Sequence, residues 1–143
     1  MVAILPVLVC FALLPGARAV SPAPDGCYPN FTTAEGCNAL NSLTTGTGDT
    51  GVGWRSLFSN STGNFNTGVG VGALVLNNAD SNTAVGAAAL LLNSTGSDNT
   101  AVGTDALVNN TVDDNTATGF SALFANTTGG YPGDERLGFC PWS

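Results

Sequence analysis

Histidine and lysine are both absent from the 143 residues, and only three basic residues, Arg18, Arg55 and Arg136, stand against 10 acidic ones. Without His or Lys, the usual general bases and any Ser-His-Asp arrangement are missing. The net charge of −7 leaves no basic footprint for nucleic acid. Charged residues make up 9% of the chain, so its surface suits hydrogen bonding and stacking better than electrostatic steering. The acidic pairs Asp113-Asp114 and Asp134-Glu135 read as solvated turns rather than a glycosidase pair. The Gly-x-Gly run from Gly68 to Gly72 has no following P-loop lysine. Asp80, Asp98, Asp113 and Asp114 recur with the repeat described below, but their spacing matches no calcium loop. The expectation is a protein that is not an enzyme, with no cofactor and no metal.

Glycine is abundant at 19 residues, and 43% of the chain is hydrophobic, which argues against a disordered polar tract. Residues 1–19 read as a secretory signal peptide: an apolar run from Val2 to Leu14, then Pro15-Gly16 and the small-residue site Ala17-Arg18-Ala19. That run is too short and too interrupted by proline for a membrane span, so an extracellular or cell-surface location is expected. Cysteine usage fits an oxidising compartment. Cys10 falls in the signal segment, leaving Cys27, Cys37 and Cys140. An odd number leaves one thiol free or paired between chains. Cys27–Cys37 is the first choice for a bond, with Cys140 free or intermolecular.

The dominant feature is a repeat of 16–17 residues in six copies, 32–48, 49–65, 66–81, 82–98, 99–114 and 115–130. The second position is always Thr: Thr33, Thr50, Thr67, Thr83, Thr100 and Thr116. The fifth is always Gly, from Gly36 to Gly119, and the ninth always Leu, from Leu40 to Leu123. The third position is Ala or Gly, the eighth Ala or Ser, and the fourth Val in the four inner copies (Val52, Val69, Val85, Val102). The tenth is apolar in five copies: Phe58, Val75, Leu91, Val108 and Phe124. One copy cannot bury so few apolar residues alone, but a stack of copies aligns them into columns. The expected fold is therefore all-β, a short β-solenoid of six coils rising roughly 29 Å at about 4.8 Å per layer. The Thr-Ala-Val stretch is expected as a strand, the Val and Leu columns as a narrow core, and the invariant Gly as a corner with positive φ. Asn at the first position and near the twelfth suits turns or stacked amide ladders. The stretch around the Leu suits a second strand or a single helical turn, and a strand-plus-helical-turn solenoid is the alternative fold. Residues 20–31 read as an N-terminal cap or arm and 131–143 as a C-terminal cap or contact segment.

Five Asn-x-Ser/Thr sequons begin at Asn30, Asn60, Asn93, Asn109 and Asn126. Asn60, Asn93 and Asn126 share the twelfth position and Asn109 holds the eleventh, so a row of N-linked glycans along one edge is expected. The Thr column offers a rival use, a regular hydroxyl rank of the kind that ice-binding solenoids display.

The Asn-Thr-Ala-Val-Gly-x-x-Ala-Leu unit, as in residues 82–90 and 99–107, followed by Asn-Ser-Thr-Gly or Asn-Thr-Thr-Gly, resembles the tandem repeats of bacterial and phage surface fibres. More distantly it is similar to the head repeats of trimeric autotransporter adhesins. The resemblance spans residues 32–130 and implies a β-roll with a fibrous or adhesive role. A coiled-coil stalk is lacking and the ends bear cysteine, so trimer formation is not carried over. The expectation is a secreted structural glycoprotein, a protomer that self-associates head to tail into an extracellular fibre or coat. The alternative is an adhesin-like module that binds glycan or ice without forming filaments.

Overall fold

The computed structural model describes residues 29–127. The chain winds as a β-solenoid with one three-residue strand per coil: β1 (Thr33–Glu35), β2 (Thr50–Val52), β3 (Thr67–Val69), β4 (Thr83–Val85), β5 (Thr100–Val102) and β6 (Thr116–Thr118). The six form one parallel sheet in chain order. Register follows the repeat, so Thr67 faces Thr83, which faces Thr100. Copies of 16 and 17 residues therefore keep one phase, and the length difference is absorbed in the loop before each strand.

The stretch around the invariant Leu is neither a second strand nor a helical turn. Two tight turns follow each other. In the fourth coil, Ala89 N donates to Gly86 O at 3.5 Å and Asn93 N to Leu90 O at 3.2 Å. Residues at the seventh and ninth positions hold positive φ, as at Ala88 (56°) and Leu90 (51°). Such values turn the peptide planes until their N–H groups lie along the stack. Ala88 N then donates back to Val71 O and Leu90 N forward to Ala106 O, both at 2.9 Å. A left-handed conformation costs a bulky residue about 1–2 kcal/mol. All six invariant Leu accept it, with φ between 48° and 55°. The gain is an inter-coil hydrogen bond together with burial of the side chain.

The invariant Gly fills its expected role. Gly86 has φ 137°, and a Cβ there would stand 2.5 Å from Gly103 O in the next coil. Both the torsion and the close approach of two backbones exclude a side chain.

The core differs from expectation in one column. Strand side chains alternate between faces, so the third position points inward and the second and fourth point out. Ala84, Ala101 and Ala117 are fully buried, whereas Val85 and Val102 are 38% exposed and Val52 and Val69 half-buried. The Val column is therefore not core. The apolar interior consists of the third, eighth and ninth positions, exemplified by Ala84, Ala89 and Leu90. One Leu and two small residues cannot fill a coil, and asparagine fills the rest.

Candidate binding faces and the asparagine interior

Two columns of asparagine run through the stack. At the first position stand Asp49, Asn66, Asn82, Asn99 and Asn115, all fully buried. From Asp49 to Asn99 a side-chain oxygen is capped by the next coil, whereas the buried Asn115 Oδ1, and Asn60 Oδ1 in the neighbouring column, have no hydrogen-bond partner among the described residues. Asn82 Oδ1 accepts from Asn99 N and Asn99 Nδ2, both at 3.1 Å, and Asn99 Oδ1 accepts from the same pair of groups on Asn115 at 3.0 Å. At the twelfth position, Asn93 Nδ2 donates to Asn77 Oδ1 at 3.1 Å, and Asn126 Nδ2 to Asn110 Oδ1 at 3.2 Å. The columns also join laterally, with Asn82 Nδ2 donating to Asn77 Oδ1 at 3.1 Å. An amide has both donors and acceptors, so a stack of identical amides satisfies itself as an apolar residue against a backbone carbonyl would not.

This placement corrects the expected glycan edge. Asn60 and Asn93 are fully buried and Asn126 is 8% exposed, and their amide nitrogens are spent inside the coil. An N-glycan would have to leave from that same nitrogen through the packed wall. The twelfth-position sequons thus mark the ladder rather than an outer edge. Asn30 and Asn109 are the two sequon residues with partly exposed side chains among the described residues. Cys37 is exposed on the first coil. Cys27 and Cys140 lie outside the described residues, as do the signal segment, most of the N-terminal arm and the C-terminal segment.

A third column lies in the loop before each strand. Asn64 N donates to Asp80 Oδ1 at 2.7 Å, and Ser97 N to Asp113 Oδ1 at 2.7 Å. These two carboxylates are thereby tied to backbone groups of the preceding coil. No group of three or more metal-ligating side chains occurs among the described residues.

Asp49 is the single acid in the buried columns. Its Oδ1 accepts from Asn66 N at 2.8 Å and its Oδ2 from Asn60 Nδ2 at 3.1 Å. Burial pushes its carboxyl above the usual range, and the donors from Asn66 and Asn60 offset only part of that rise.

Outside, the sheet presents two parallel ranks. The Thr rank, half-buried from Thr50 to Thr116, runs beside the outward fourth position, and of these twelve residues only Glu35 is charged. Neighbouring groups stand about 4.8 Å apart between strands and about 6.6 Å apart along a strand. A second outer face lies at the corner made by the two turns. The seventh and tenth positions meet there: the Arg55 guanidinium lies 4.3 Å from the centre of the Phe58 ring. Leu76 and Leu92 at the eleventh position are 44% and 40% exposed, beside the half-buried Val75 and Leu91. The sequence hinted at this face only through the apolar tenth column.

No family model, no curated protein and no solved structure matches the chain. No helix among the described residues is long and apolar enough to cross a membrane.

Proposed function

We propose that the chain is a secreted structural protein, the protomer of an extracellular fibre or coat that grows head to tail. The observation that carries this reading is the propagation of one bonding pattern from coil to coil. Backbone bonds and the Leu column repeat with the same register across the described stack, and the amide columns do so from the third coil onward. A coil of this kind is its own template, and a strand edge at a solenoid end is a pairing surface for another chain. Cys37 sits exposed on the first coil, where a bond to a neighbouring chain's cysteine would lock the junction. A glycoprotein coat then rests on Asn30 and Asn109. Sedimentation and negative-stain images of purified protein over a concentration series test the reading. Rods longer than one chain are expected, shortened by reductant, and a monomer at every concentration would overturn it.

A second reading draws on the outward Val column. Two uncharged ranks of hydroxyl and methyl groups at lattice-like spacing suit an ordered surface such as ice or a crystalline polysaccharide better than one Thr rank does. Thermal hysteresis abolished by Thr83→Tyr, without any assembly, would favour it over the fibre.

A further inference from the structure

We propose that the corner face of the seventh, tenth and eleventh positions pairs with the same face of a second copy, antiparallel, about a two-fold axis between the third and fourth coils. Such pairing brings the third coil against the fourth of the partner, and the second against the fifth.

The residues on the face follow that symmetry. Exposed leucine at the eleventh position occurs only in the third and fourth coils, as Leu76 and Leu92, where the axis would pass. The seventh position in these two coils is the buried Gly72 and the half-buried Ala88, so no long side chain at that position stands between two chains. A Cβ on Gly72 would lie 3.5 Å from Leu91 Cδ1 and 3.6 Å from Val75 Cγ2, so this column and the apolar tenth form one surface.

Charges occupy the matching outer coils. The seventh position is Arg55 in the second coil and Asp105 in the fifth. Arg55 is stacked on the Trp54 and Phe58 rings and meets no carboxylate among the described residues. The Asp105 carboxylate likewise has no partner there. The two are three coils apart in one chain, roughly 14 Å at about 4.8 Å per coil, too far to pair. The antiparallel arrangement sets Arg55 of each copy against Asp105 of the other, twice. An apolar centre with a polar, charge-matched rim is the anatomy of a protein interface. Parallel pairing would instead bring like-numbered coils together and leave Arg55 three coils from the Asp105 of either copy.

The sequon residue Asn109 lies on the same face, in the fifth coil opposite Ser59 of the other copy. A glycan there and the dimer exclude each other.

The test is sedimentation equilibrium of the purified, reduced chain from a non-glycosylating host, with circular dichroism confirming the fold of each variant. Below the concentration at which rods grow, a dimer is the expected species. Arg55→Asp and Asp105→Arg should each weaken it by about tenfold or more. The double variant, or an equimolar mixture of the two single variants, should restore it. Leu76→Asp, an exposed position, should abolish it. A monomer throughout, a dimer indifferent to charge reversal, or a monomer that instead binds phosphatidylcholine vesicles through Leu76 would each overturn the proposal. Head-to-tail growth continues with concentration and is unaffected by Leu76→Asp, so failure of either reading is separately visible.

Discussion

Replacing Asn93 by alanine isolates the amide interior from any effect of glycosylation. Its side chain makes four hydrogen bonds: Nδ2 donates to Gly96 O at 2.7 Å and Asn77 Oδ1 at 3.1 Å, and Oδ1 accepts from Gly96 N at 3.2 Å and Asn110 Nδ2 at 3.4 Å. Three of the partners keep another bond. Gly96 O still receives Asn82 Nδ2, Asn77 Oδ1 still receives Asn82 Nδ2, and Asn110 Nδ2 still reaches Val112 O. The buried Gly96 N–H is left without an acceptor. Three net bonds at about 0.5–1.5 kcal/mol each and one orphaned buried donor at about 1–3 kcal/mol make the total loss about 2.5–7.5 kcal/mol. Asn109→Ala deletes the neighbouring sequon but only a 3.5 Å bond at the surface, and should stay within about 0.5 kcal/mol. Urea denaturation of both variants, made in a host that attaches no N-glycans, separates them. Equal stability of the two would refute the buried ladder, because an outward Asn93 carries no interior bonds to lose.

Gly86→Ala should destabilise by more than about 2 kcal/mol, from torsional strain and the contact with Gly103, whereas Ala87→Gly next to it should have a far smaller effect in the same denaturation assay. Leu90→Ala, at a fully buried site, should cost about 2–5 kcal/mol, while Val102→Ala on the outer face should cost under about 1 kcal/mol; the reverse order would restore Val to the core. Asp49→Asn should stabilise the fold at neutral pH. The folded carboxyl binds its proton more tightly than the unfolded one, so its contribution is fully present below the ordinary carboxylate range and is lost as pH rises through the raised folded value. The advantage of the variant should therefore shrink as pH falls into that range, and a gap that widens there would contradict the assigned cause.

Much of the fold was legible in the residues because each coil repeats the same constraints. Invariant Thr, Gly and Leu set the phase, and the phase set the strand positions and the parallel register. The Val column misled because β-branched residues suit a strand without saying which face they take. Alternation from the inward Ala at the third position would have decided it. The left-handed Leu was not legible, since propensity places no bulky residue there and only the inter-coil bond and burial outweigh the strain. The twelfth-position sequons misled differently. Asn followed by Ser or Thr reads equally as an acceptor for glycan or as a turn whose amide points inward, and only the stack of buried amides distinguishes them. The corner face depends on which coils carry Leu76, Leu92, Arg55 and Asp105, information that lies in the differences among copies rather than in their consensus.

Each run of 16–17 residues forms one interchangeable layer. Deleting residues 82–98, one whole coil, joins Ser81 to Asn99 with every column in phase. Circular dichroism and urea denaturation of this shortened chain measure whether the layers are interchangeable. A folded, cooperative β-protein with reduced stability is expected, while deletion of residues 82–89 alone leaves no stable fold. Unfolding of the whole-coil deletion, or equal tolerance of the half-coil one, would contradict it.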